Sequence, residues 1–202
     1  MYSVYRGGNS MNKKVLVATL AATMLTGAAF AAAVPVTDIN EGDSKIGVEY
    51  SFSQSVTGES GHADGFGVNL QTGLTDKWAL QYSFNKINLD DRSDIKDHQL
   101  NAVYDFHPNF NAYVGGTYIK AAGDHETGLQ AGVIGHMPLT DRIDGFAKVG
   151  FGNDIKRTFQ VGATYALNPE FDLSVYYQYD KYSVDDANVT AKGFHAGIGY
   201  NF

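Results

Sequence analysis

The last nine residues, Phe194-His195-Ala196-Gly197-Ile198-Gly199-Tyr200-Asn201-Phe202, decide how the rest of the chain is read. Phe194, Ala196, Ile198, Tyr200 and Phe202 are apolar. His195, Gly197, Gly199 and Asn201 between them are polar or lack a side chain. A period of two places these sets on opposite sides of a pleated strand, because successive side chains along a strand point to opposite faces. A helix would repeat its apolar positions every three or four residues instead.

The same alternation runs back to Lys45. Phe171, Leu173, Val175, Tyr177 and Tyr179 oppose Asp172, Ser174, Gln178 and Asp180. Phe159, Val161, Ala163 and Tyr165 oppose Gln160, Gly162 and Thr164, and Ala147, Val149 and Phe151 oppose Lys148, Gly150 and Gly152. Leu129, Ala131, Val133 and Met137 face away from Gln130, Gly132 and His136. Leu100, Ala102, Tyr104 and Phe106 do the same with Gln99, Asn101 and Asp105. Trp78, Leu80, Tyr82 and Phe84 stand against Ala79, Gln81, Ser83 and Asn85. Phe66, Val68 and Leu70 stand against Gly65, Gly67, Asn69 and Gln71. Ile46, Val48, Tyr50 and Phe52 oppose Lys45, Gly47, Glu49 and Ser51. The segment from Phe110 to Lys120 fits less well, since Tyr113 and Ile119 fall on its polar face, and its register stays open.

Two kinds of connection separate these segments. Thr75-Asp76-Lys77, His107-Pro108-Asn109, Thr140-Asp141-Arg142 and Asn168-Pro169-Glu170 have the residues of tight turns. Val56 to Asp64, Asn88 to Asp97, Ala121 to Thr127 and Ser183 to Ala191 are longer and more polar, with a short connection near Asn153-Asp154. Short turns at one end and longer loops at the other are the asymmetry of an outer-membrane β-barrel. The expected fold is all-β: a closed antiparallel up-and-down transmembrane barrel of ten strands, both chain ends on the turn side. Eight strands is the alternative, if two segments fuse or lie outside the barrel.

The chemistry of the two faces gives the orientation. One face is apolar, whereas the other carries Glu49, Asn69, Gln81, Asn101, Asp105, Gln130, Lys148 and Gln160. A soluble barrel would turn the apolar face inward and the polar one to water. A membrane barrel does the reverse, with the backbone satisfied inside a closed ladder. Aromatics support the membrane reading. Trp78, Phe106, Phe110, Phe171 and Phe202 fall at turn ends, and Phe52, Phe66, Phe84, Tyr118, Phe151, Phe159, Tyr179 and Phe194 at loop ends. Two such rings bounding an aliphatic band form an interfacial girdle. Composition agrees: 13 Tyr, 12 Phe and 23 Gly against 4 Pro favour strands over helices. A mean hydropathy of -0.23 is what alternating faces average to.

Ahead of the strands, Met11-Asn12-Lys13-Lys14, the apolar run Val15 to Leu25 and Ala29-Phe30-Ala31 make the three parts of a secretory signal peptide over residues 11–33. Cleavage is expected after Ala31 or Ala33. The alternative, a membrane anchor, needs about 20 apolar residues. Residues 1–10 stand outside this pattern. Arg6-Gly7-Gly8-Asn9 reads back as a purine-rich ribosome-binding sequence ahead of Met11, so translation is expected to begin at Met11. Residues 34–43 form a short segment before the barrel, which spans residues 44–202.

Charge and cysteine content narrow the function. All 22 acidic residues lie at or after Asp38, against 12 of the 15 basic ones, which leaves ten net negative charges in that part. Nucleic-acid binding, which needs a basic footprint, is excluded. The absence of Cys removes thiol metal sites and nucleophiles. No cofactor is expected.

The leader, the alternating array and the terminal Gly199-Tyr200-Asn201-Phe202 together resemble the small outer-membrane barrel superfamily, of OmpA-like and opacity-protein type. The resemblance implies that the last strand, through Phe194, Tyr200 and Phe202, carries the signal read by the barrel-assembly machinery. Ten strands rather than eight, and no peptidoglycan-binding domain, depart from the OmpA pattern. Ten strands leave a narrow interior, since eight are just filled by side chains. Glu49, Gln81, Asp105, Gln130, Lys148 and Gln160 are the lumen candidates, with an internal Glu49–Lys148 ion pair plugging the bore and inward glycines opening a thin water path. The favoured reading of these polar groups is that they simply fill the space, paired with one another.

The leading function is therefore a structural or narrow-pore role in outer-membrane lipid. A second is surface binding through an acidic rim of Asp90, Asp91, Asp94, Asp97, Asp124, Glu126, Asp185 and Asp186, where divalent cations would bridge lipid phosphates. A remote third is an enzyme using His98 or His195 near the loop ends, with Ser93 and Asp97 nearby in sequence. The histidines at 62, 98, 107, 125, 136 and 195 show no triad spacing, so no catalytic residue is assigned.

Overall fold

A computed structural model describes residues 34–57, 62–89, 94–121, 124–184 and 187–202. The signal-peptide and start-site expectations lie outside these residues. The alternating segments form ten strands: β1 (Ser44–Val56), β2 (Ala63–Gly73), β3 (Trp78–Asn88), β4 (Ile95–His107), β5 (Phe110–Ala121), β6 (Asp124–Thr140), β7 (Ile143–Gly152), β8 (Ile155–Ala166), β9 (Phe171–Val184) and β10 (Ala187–Asn201). Each pairs antiparallel with the next, and β1 pairs with β10 through Lys45↔Asn201, Val48↔Ile198 and Phe52↔Phe194. The sheet is closed and has ten strands, not eight.

Side chains shape the turns. Thr75 Oγ1 accepts from the backbone N–H groups of Lys77 (3.2 Å) and Trp78 (3.1 Å), and Thr140 Oγ1 does the same for Arg142 (3.3 Å) and Ile143 (3.1 Å). Asn168 Oδ1 accepts from Glu170 (2.9 Å) and Phe171 (2.8 Å). A short polar side chain that captures its own backbone two or three residues on fixes a hairpin without a longer loop.

The apolar faces point out. Leu129 is 67% exposed, Phe151 66% and Val175 56%, each flanked by an inward, buried neighbour. Such a belt of exposed aliphatic and aromatic side chains suits lipid rather than water.

Tyr113 and Ile119, whose register was open, face inward and are buried, as are Val103 and Ile134. Tyr113 fits because glycine makes room for it. A Cβ on Gly132 would lie 2.6 Å from its ring, and one on Gly150 would lie 1.9 Å from its hydroxyl. Gly132 and Gly150 are therefore slots for the Tyr113 side chain rather than open space along the wall.

Residues 34–43 do not hang free of the barrel. A turn at Gly42 (φ +85°) is bonded to the end of β2, with Gly42 N donating to Gly73 O (3.0 Å) and Gly73 N to Asp43 O (2.8 Å). From there the chain leads back into the bore. Val36 is fully buried against Ala79, Val103, Tyr113 and Ile134, and Val34 lies deeper, against Phe146 and Tyr176.

Candidate functional site

The bore is layered. At the loop end, eight strands each send one apolar side chain inward: Val56, Ala63, Ile87, Ile95, Ile119, Ile155, Tyr182 and Ala191 form one packed cluster. At the turn end lies the N-terminal segment, its backbone carbonyls satisfied by wall side chains. Gln81 Nε2 donates to Val34 O (2.8 Å), Asn111 Nδ2 to Val36 O (2.9 Å) and Thr37 O (3.0 Å), and Gln71 Nε2 to Asp38 O (3.2 Å). Those three amides give a polypeptide backbone the partners it would otherwise lack inside a barrel.

Polar chains fill the middle. Gln130 Nε2 donates to Gln99 Oε1 and Asn101 Oδ1, both at 2.8 Å, and Gln99 Nε2 to Asp97 Oδ2 at 2.6 Å. Across the bore, Gln160 Nε2 donates to Gln178 Oε1 at 2.8 Å, and Gln178 Nε2 and Tyr182 OH both donate to Asp180 Oδ2. Glu49 Oε1 takes the Tyr176 hydroxyl and lies 2.8 Å from His195 Nδ1. The Tyr176 and His195 rings stack with centroids 4.9 Å apart. Nearer the turn end, Lys45 Nζ meets Asp172 Oδ2 at 2.8 Å. A void beside Gln54, Asn85, Asp180 and His195 has no room for a water molecule.

Glu49, Gln81, Gln130, Lys148 and Gln160 all point into the bore and are buried, and Asp105 points inward near the turn end, partly exposed. The expected Glu49–Lys148 pair is not formed. Glu49 is taken by Tyr176 and His195, whereas Lys148 sits with Nζ 4.8 Å from the centre of the Tyr113 ring and interacts with Asp180 and Asp97. Strand register put Glu49 on β1 and Lys148 on β7, and sequence alone gives no measure of which strands face one another across the bore.

The histidines are also rearranged relative to expectation. His195 lies inside, level with Ser51 and Tyr176 in the middle of β10, not near a loop. His98 faces outward, with Tyr82 OH 2.9 Å from its Nδ1, whereas Asp97 beside it is buried in the bore. Adjacent strand residues face opposite sides, so these two cannot act on one substrate. The same fact removes Asp97 from the acidic rim. Asp90, Asp91, Ser93, Asp185 and Asp186 lie outside the described residues. Among the described residues, no group of three or more His, Asp or Glu is placed to hold a metal ion.

Sequence reasoning missed the apolar ring and the inserted segment. Ile87, Ile95, Ile119 and Ile155 break the polar periodicity at equivalent heights, and that repetition was the available signal. Val34 and Val36, one residue apart ahead of the polar stretch, were the signal for the insertion.

The β-barrel domain model of outer-membrane proteins matches residues 17–202, which takes in all ten strands. The chain belongs to this family. As a member of it, the protein is an outer-membrane barrel. No curated protein matches its sequence. Ail, the attachment invasion locus protein of Yersinia pestis, is 19% identical over 80% of this chain and 99% of its own, with a TM-score of 0.39. Neisserial surface protein A is 16% identical over 80% of this chain and 100% of its own (TM-score 0.43). OprG from Pseudomonas aeruginosa is 12% identical over 83% of this chain and 99% of its own (TM-score 0.36).

Proposed function

We propose that this protein is a closed structural barrel of the outer membrane whose bore does not conduct. The observation that carries this reading is the apolar ring at the loop end. A hydrated ion would have to shed water against Ile87, Ile95, Ile119, Ile155 and Tyr182, and apolar constrictions of this kind stop conduction by dewetting. Two further layers support it: the paired amides at mid-height and the N-terminal segment held by Gln81, Asn111 and Gln71. A catalytic reading lacks support, because the Glu49–His195–Tyr176 group is sealed between these layers. Purified protein reconstituted in planar bilayers should give no stepwise currents. Discrete, reproducible conductance steps from the intact chain would refute the proposal in favour of a narrow pore.

A further inference from the structure

Lys86, Lys96 and Lys120 stand side by side on the outer wall. The register pairs Lys86 of β3 with Lys96 of β4, and Lys96 with Lys120 of β5. Their sequence neighbours Ile87, Ile95 and Ile119 belong to the inward ring, so the three lysines point away from the bore. Like charges directly opposite on neighbouring strands repel. In a segment with ten net negative charges, acidic partners were not scarce. Lys86 has one, Asp94 Oδ2 at 2.7 Å, on a partly exposed site where an ion pair contributes little. Lys96 and Lys120 have none among the described residues.

Height on the wall identifies what offsets the repulsion. One pleat nearer the membrane centre runs an aromatic row, Phe84, His98 and Tyr118, while Phe66 of β2 lies level with Lys86. Phe84 and His98 ring centroids are 4.7 Å apart, and those of His98 and Tyr118 5.9 Å. Beyond that row lie Leu80 and Leu100, exposed to lipid. Aromatic rows mark the edge of the hydrocarbon, so the lysines are at headgroup level, with long stems able to lie along the rings, as Lys86 does over Phe66 (5.6 Å). Three ammonium groups on adjacent strands, spaced by about 4.8 Å per strand, span roughly the width of two phosphate groups.

We infer that this wall of β3–β5 binds the phosphates of the phosphorylated glycolipid in the outer leaflet. The inference does not depend on whether the bore conducts, only on the barrel's place in the outer membrane. A charged lipid surface contributes about fivefold in affinity per lysine, so removing three should cost on the order of 100-fold.

The full chain, folded in zwitterionic micelles, can be titrated with diphosphorylated lipid A and retention counted by native mass spectrometry. The Lys86→Gln, Lys96→Gln, Lys120→Gln triple variant should lose retention by that factor, and Lys96→Gln alone by about fivefold. Lys77→Gln with Arg142→Gln, at the turn end, should change nothing. Dephosphorylated lipid A should bind wild type no better than the diphosphorylated lipid binds the triple variant. Equal retention by wild type and a folded triple variant would overturn the inference. So would equal retention of phosphatidylglycerol and diphosphorylated lipid A by wild type.

Discussion

Lys148 tests whether the bore is a paired network or merely packed polar filler. Its side chain is 3% exposed, rises from β7 over the Tyr113 ring, and is the charge that Asp97 and Asp180 face from β4 and β9. Lys148→Met keeps most of the stem and its packing but leaves two buried carboxylates facing an apolar end. Removing one partner from a buried charged group costs about 3–5 kcal/mol, and a desolvated cation over an aromatic face accounts for about 2 kcal/mol of it. Asp180→Asn alone should also destabilise, because Asp180 accepts from both Gln178 and Tyr182. The double variant removes the cation together with one of the two carboxylates that face it, so it should be more stable than the sum of the single losses requires, with a coupling of about 2 kcal/mol. Equilibrium urea unfolding of the four proteins in phosphatidylcholine vesicles, followed by the Trp78 fluorescence and by the heat-dependent gel shift, measures all four corners of the cycle. A coupling below about 0.5 kcal/mol would refute the network: Lys148 would then be an isolated charge whose neighbours do not register its loss.

Two more outcomes follow from close approaches. Gly150→Ala pushes a methyl to within 1.9 Å of the Tyr113 hydroxyl and should destabilise by about 1–3 kcal/mol in the same unfolding assay. Combining it with Tyr113→Phe should recover much of that loss, whereas an unrelieved double variant would place the clash elsewhere. In the β7–β8 connection, burial first and Glu126 second hold the Asp154 carboxyl above the usual carboxylate range, although the Thr117 hydroxyl (3.2 Å) and Lys156 oppose the shift. A carboxyl raised on folding takes up protons more readily in the folded state, so its ionisation withdraws stability as pH rises through the folded value. Asp154→Asn should therefore flatten the stability profile over that window and leave the protein at least as stable near neutral pH. A profile as steep as wild type would contradict this.

Legibility differed between the wall and the interior. The outward residues could be read one by one, because lipid imposes the same apolar demand at every other position, and Phe194 to Phe202 meets it without exception. Tyr113 and Ile119 looked like errors in that pattern. They are inward residues obeying a different demand, Tyr113 filling the space over two glycines and Ile119 joining an eight-strand cluster. Asp97 was read as a loop residue because it follows a polar stretch, yet it lies within β4 and turns into the bore, where Gln99 donates to it and the charge of Lys148 acts on it.

The sequence by itself determined that the chain is a run of alternating strands, which face of all but the Phe110–Ala121 strand meets lipid, and which ends carry turns. These are local properties, set by a two-residue period and by side chains that cap their own turns. Only the closed structure decided what fills the bore: that Glu49 meets His195 rather than Lys148, that four isoleucines from separate strands meet in one ring, and that Val34 and Val36 return inside. Partners inside a barrel are fixed by closure and register, which bring together residues more than a hundred positions apart, as the β1–β10 seam does for Glu49 and His195. No periodicity along one strand records which strand stands opposite.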